Sequence, residues 1–142
     1  MKYWMGTVSK EHVMIGVEGN FCQLCHGKST PLKRMKKGDI LIYYSPKISL
    51  NSDVKFQEIT AIGKIKDENV YQFQMTENFI PYRRDVDYLK LNGKCTINEL
   101  RNHPEWIKYA KQLRYGHFEI SEDFFRFIYL NYHSWKSKLP YR

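Results

Sequence analysis

Apolar and polar residues alternate with a period of two along much of this chain, the signature of half-buried strands. In Ile40 to Ser45, Ile40, Ile42 and Tyr44 fall on one face and Leu41, Tyr43 and Ser45 on the other. The adjacent tyrosines therefore point to opposite sides of a sheet, so that one can face a cleft while the other packs. Lys2 to Val8 reads as a first strand, with Tyr3, Met5 and Thr7 opposed to Trp4, Gly6 and Val8. From Phe56 to Lys66 one face collects Ile59, Ala61, Gly63 and Ile65; from Val70 to Thr76, Tyr71, Phe73 and Met75 alternate with polar residues. The polar segment Asp67 to Asn69 predicts a turn joining these two strands as a hairpin. Phe79 to Leu91 is extended, with Arg83 and Arg84 on opposite faces and Asp85 and Asp87 placed to neutralise them. Phe21 to Cys25 and Gly116 to Ile120 read as short strands, the second at a sheet edge.

Helical signals fall between these strands. Ser9 is a good N-cap for a helix from Lys10 to Glu18, weakened by the internal Gly16. After a turn at Gly27 to Thr30, Pro31 starts a single helical turn through Met35. A short turn is expected at Ile97 to Leu100. Pro104 then opens a helix with Lys108, Lys111 and Arg114 toward its end, where cations suit the helix dipole. Ser121 caps a last helix whose stripe of Phe124, Phe125, Ile128, Tyr132 and Trp135 predicts core contacts, and the tail from Lys136 to Arg142 reads as basic and loose. The loop Pro46 to Val54 is polar. Nothing divides the 142 residues, which read as one domain, 1–142. The expected class is α+β, with a mixed, mostly antiparallel, curved and barrel-like sheet flanked by helices.

With 42% hydrophobic and 27% charged residues the chain has the balance of a globular protein rather than a disordered one. Aromatics reach 15%, more than a small core needs, which points to rings at a binding surface. The formal charge of +8 favours a polyanionic partner, since cations gain affinity by releasing counterions condensed on phosphates. A solvated basic surface of purely structural or interaction role is the alternative. No apolar run approaches a membrane span and no export signal is visible, so a cytoplasmic setting is expected.

Three cysteines are an odd count and argue against a disulfide framework. Cys22 to His26 matches C-x-x-C-H, the attachment pattern of c-type haem. Covalent haem usually requires export, and a zinc site would need a second Cys/His pair with ligand spacing. Neither cofactor is expected.

The stretch from Phe21 to Pro46 combines a His-Gly-Lys turn, a basic run, the Gly38-Asp39 corner and the Tyr43-Tyr44-Ser45-Pro46 strand end. Together with Tyr3-Trp4, Ser9 to Val13, Phe56 to Gly63, Pro81 to Arg84 and Arg114 to Ile120, it resembles the EVE-domain family of the PUA-like superfamily. That resemblance implies a curved sheet with an aromatic pocket for a flipped, modified nucleobase, and it supplies no catalytic residues. The residue types fit such a site: Trp4, Tyr43 or Tyr44 to stack, and Ser9, His26, Gly27 and Ser45 to meet base edges. Lys28 and Arg114 would anchor neighbouring phosphates, with Lys33, Arg34, Lys36, Lys37 and Arg83 adding further phosphate contacts. The expected function is a non-catalytic nucleic-acid-binding module, for DNA or RNA. The enzymatic alternative, a nuclease-like protein, lacks a Ser/His/Asp arrangement or a deaminase signature.

Overall fold

The computed structural model describes residues 1–132; Trp135 and the tail from Lys136 lie outside the described residues. Six strands form one mixed sheet: β1 (Tyr3–Thr7), β2 (Phe21–Cys22), β3 (Ile40–Lys47), β4 (Lys55–Gln72), β5 (Tyr82–Tyr88) and β6 (His117–Ile120). Their order is β2-β5-β4-β3-β1-β6, an open sheet in which β1 and β3 run parallel and every other neighbouring pair antiparallel. β6 does form an edge. Among the described residues five helices accompany the sheet: α1 (Lys10–Gly19), α2 (Ser29–Arg34), α3 (Ile97–Leu100), α4 (Trp106–Ala110) and α5 (Glu122–Tyr132).

Alternation on β3 divides the core as its pattern predicts. Ile40, Ile42 and Tyr44 pack with Trp106, Phe124, Phe125 and Ile128 beneath α4 and α5. Leu41 and Tyr43 pack on the other face with Trp4, Val13, Leu24 and Leu32 beneath α1 and α2. Burial on both faces is why β3 reads as nearly continuously apolar.

The hairpin expected at Asp67 to Asn69 is not there. β4 runs unbroken through it, and the register against β5 shifts between Ile65 and Val70. The reason is Arg84, 1% exposed, whose guanidinium donates to the main-chain oxygens of Leu32, Met35 and Asp67 and pairs with Glu68 at 3.0 Å. The polar segment wraps a buried cation, and Arg84 in turn satisfies carbonyls at the end of α2. Nor do Asp85 and Asp87 neutralise the arginines as expected: the Asp85 carboxylate accepts the Tyr71 hydroxyl, and Arg83 is held between aromatic rings. The actual hairpin joins β4 to β5 through a turn at Thr76 to Phe79.

A parallel pair has no short turn to set its register. Here Asp39, buried at the start of β3, supplies the link. Its carboxylate accepts the backbone N–H of Lys2 at 3.0 Å, the indole N–H of Trp4 at 3.0 Å and the backbone N–H of Lys36 at 2.9 Å. Burial alone would raise its pKa; the three donors outweigh that and hold it below the usual carboxylate value. Asp39→Asn turns an amide NH2 against N–H donors without changing size. Urea unfolding at neutral pH should show a loss of about 2 to 4 kcal/mol, and a loss within the ~0.5 kcal/mol typical of surface changes would contradict this role.

Candidate functional site

On the α1 side of the sheet, where β1 and β3 end, lies a cavity of about 560 Å³. Tyr43 lines it from within the sheet. The ring has room because β1 carries glycine beside it: a Cβ on Gly6 would stand 2.6 Å from Leu24 Cδ2 and 3.1 Å from Tyr43 Cε1. Ser9, His12 and Ile15 form one wall, Phe21 with Gln23 to Gly27 a second, Phe79 and Met75 a third, and Leu113 to Gly116 a fourth. Burial pushes the Tyr43 phenol well above its ordinary pKa, so it stays protonated and donates to the Gln23 carbonyl oxygen at 3.0 Å.

The second wall is conformationally costly. Cys25, His26 and Gly27 have φ values of 49°, 60° and 82°, and each non-glycine residue in this left-handed region costs on the order of 1 kcal/mol. Packing holds them there. A Cβ on Gly27 would lie 2.4 Å from Pro81 Cβ, and one on Gly116 would lie 2.9 Å from Cys25 Sγ, so both glycines permit close approach. Burial raises the Cys25 thiol pKa against the opposing charges of Arg34 and Lys28.

Two buried hydroxyls stand at the cavity with no hydrogen-bond partner among the described residues, those of Thr7 and Ser9. Ser9 sits at the N-cap of α1 but its side chain does not cap. A buried polar group without a partner is uncommon and costs free energy, so its retention at a cavity points to a partner that arrives from outside. Gln23 offers a third polar group. Arg83 Nε donates to its side-chain oxygen at 2.6 Å, which leaves the amide NH2 for another acceptor.

Of the residues expected at the site, the cavity thus gathers Ser9, His26, Gly27, Tyr43 and Arg114. The others lie elsewhere. Trp4 is buried and does not line the cavity: its indole N–H is taken by Asp39, and its ring stacks on His117 at 4.8 Å and 8°. Tyr44 faces the opposite core against Trp106, as alternation requires. Ser45 is fully buried and accepts the Thr60 hydroxyl. Arg83 is closed off from phosphate, with its guanidinium 3.8 Å from the Phe21 ring centre and 3.9 Å from that of Phe73. Lys28, Lys33, Arg34, Lys36 and Lys37 are exposed. Sequence reasoning missed His12 on α1, Phe21 on β2, Gln23, Phe79 and Tyr115, because only the tertiary fold brings these separated segments together.

Burial pushes the Cys22 thiol from 9.0 to about 12, where it stays protonated and is a poor metal ligand. Elsewhere His103, Glu105 and Asp123 cluster within 4.8 Å. The Glu105 N–H donates to His103 Nδ1, so His103 Nε2 carries the proton it directs to Asp123 at 2.9 Å and has no lone pair for a metal. Glu105 itself accepts the Tyr109 and Ser121 hydroxyls, a network that joins α4 to α5. No helix among the described residues is long and apolar enough to cross a membrane.

The mixed, mostly antiparallel sheet with its flanking helices is a PUA-like fold. The EVE domain family model matches residues 2–130, and the chain belongs to the EVE-domain family. A UPF0310 protein of Streptococcus mutans is 59% identical over 129 residues, spanning 91% of this chain and 95% of that one. The UPF0310 protein YdcG of Bacillus subtilis is 47% identical over 124 residues, 84% of each chain. Among solved structures, an NMR structure from Rhodopseudomonas palustris superposes with a TM-score of 0.59 at 19% identity over 90% of each chain. A hypothetical protein of Leishmania major gives 0.59 at 14% identity over 90% of this chain and 92% of that one. These two likenesses concern the fold alone.

His117 follows the cavity glycine Gly116 and is 3% exposed, with neither ring nitrogen partnered among the described residues. Burial, helped by the charge of Arg34, lowers its pKa from 6.5 to about 3. The folded protein therefore refuses a proton that the unfolded chain accepts below about pH 6.5, so stability falls as pH drops from there toward 3. Urea unfolding at several pH values should show a slope of up to about 1.4 kcal/mol per pH unit in that window. His117→Phe, which keeps a ring on Trp4, should remove that part of the slope; an unchanged slope would contradict the assignment.

Proposed function

We propose that this protein is a non-catalytic nucleic-acid-binding module whose cavity takes a single unstacked, modified base. The observation that carries the reading is the pair of unpartnered buried hydroxyls of Ser9 and Thr7 in a ring-lined cavity of about 560 Å³ beside cationic residues. An unstacked base presents a flat apolar face and a polar edge. Tyr43, Phe21 and Phe79 offer ring surface for the face, and Ser9, Gln23 and His26 polar groups for the edge. Arg114 lines the cavity, and the exposed Lys28 directly follows the wall residue Gly27, so two cations stand beside the place where neighbouring phosphates would lie. Membership in the EVE-domain family supports the same reading. Binding without chemistry fits the polar groups present, since His12 and His26 are exposed and the Cys25 and Tyr43 pKa values are raised, away from those of an activated nucleophile.

Ser9→Ala tests the cavity directly, because it removes an unpaired hydroxyl without adding bulk. Single-stranded oligonucleotides bearing one modified or one unmodified base would be titrated against both proteins. The variant should keep or raise its melting temperature while binding the preferred strand roughly fivefold more weakly, the effect of one lost hydrogen bond of about 1 kcal/mol. Equal affinity for all strands in both proteins would remove the cavity from base binding.

A further inference from the structure

A second depression, an open groove of about 660 Å³ along α4, adjoins the cavity, and Arg114 and Tyr115 line both. The groove is lined by Pro104, Ile107, Lys108, Lys111 and Gln112 besides that shared ridge. Its three cations recur every third residue, and α4 passes into a 3-10 turn at Leu113–Tyr115. Three residues advance about 4.5 Å in an α-helix and about 6 Å in a 3-10 turn, which keeps the cations in one row. Tyr115 is 58% exposed and the Arg114 guanidinium lies 5.2 Å from its ring centre. An exposed ring backed by a guanidinium is a stacking platform for a second base.

We infer that this groove carries the single-stranded phosphodiester segment flanking the base in the cavity. The strand crosses the Arg114–Tyr115 ridge, stacks its neighbouring base on Tyr115 and lays its phosphates along Arg114, Lys111 and Lys108. The inference rests on the base-binding reading of the cavity and adds a direction to it. Charge complementarity selects the occupant: the row is cationic, and Glu105, which meets Lys108 at 3.6 Å, shares its carboxylate with Tyr109 and Ser121. Lys108 also lies 4.7 Å over the Tyr109 ring, which holds its ammonium near the groove. The helix-dipole role that the sequence suggests for these cations is a weak use of them on a helix of only five residues.

The test uses the whole chain with two probes, a free nucleoside and a labelled mixed-sequence single strand of about ten nucleotides, made as DNA and as RNA. Lys108→Gln with Lys111→Gln is compared with Lys64→Gln with Lys66→Gln, which removes equal charge from exposed positions of β4. The groove pair should weaken strand binding at least tenfold and flatten the slope of log affinity against log salt by about 1.4, or about 0.7 per phosphate contact. Nucleoside affinity should not change. Tyr115→Ala should weaken the strand roughly tenfold or more and spare the slope. Loss in either the DNA or the RNA arm supports the groove, and the tighter arm identifies the sugar. Equal effects of the two lysine pairs, no effect of the groove pair, or equally tight groove binding of a polyglutamate peptide would overturn the inference. A strand that depends on the groove while no nucleoside binds would uphold the groove and reject the base-binding cavity.

Discussion

The carboxylate of Asp39 is the contact on which the arrangement of this protein depends. It ends the turn that opens β3 and reaches across to the start of β1, so one buried charge joins the parallel strand pair β1 and β3. Three donors at 2.9 to 3.0 Å make the charge tolerable in the interior. Because one donor is the Trp4 indole, the same interaction also fixes the ring on which His117 stacks. His117 leads β6, and the residue before it, Gly116, lies against Cys25 in the cavity wall. A turn carboxylate, an indole, an imidazole and a glycine thus form a continuous chain of contacts from the sheet register to the cavity.

The cavity is built where local preferences are overridden. Cys25 and His26 adopt left-handed backbone, the Ser9 hydroxyl leaves its helix uncapped, and Arg83 is sandwiched between Phe21 and Phe73 rather than solvated. Each departure is costly in isolation, and each shapes or supports a wall. The sandwiched Arg83 holds both the Phe21 ring and the Gln23 amide, so it orients two lining groups without touching a ligand. Stability is supplied elsewhere, by the aromatic cluster of Phe124, Phe125, Tyr129 and Trp106 on the other face. Separating a well-packed face from a strained one lets the sheet hold a site open.

Much of the fold is legible in the sequence. The alternation of Ile40 to Ser45 correctly assigns Tyr43 and Tyr44 to opposite faces, and the apolar stripe of the last helix places Phe124, Phe125 and Ile128 in the core. Local pattern fails where a polar segment is polar for a distant reason. Asp67 to Asn69 looks like a turn, yet it serves Arg84, and no local window contains that arginine's partners. The site is half legible for the same cause. Ser9, His26 and Arg114 are visible as polar residues at element ends, and Gly27 as part of a turn, whereas Trp4 looks like a stacking ring until its indole partner, 35 residues away, is known.

Enclosure of a base against Tyr43 can be measured by NMR on isotope-labelled protein bound to a single strand with one modified base. An enclosed base gives intermolecular NOEs to the Tyr43 ring, Leu24 and Ile15, with amide shifts concentrated at Cys25 to Gly27. Amide shifts confined to the exposed lysines, with no NOE from any base to Tyr43, would contradict it.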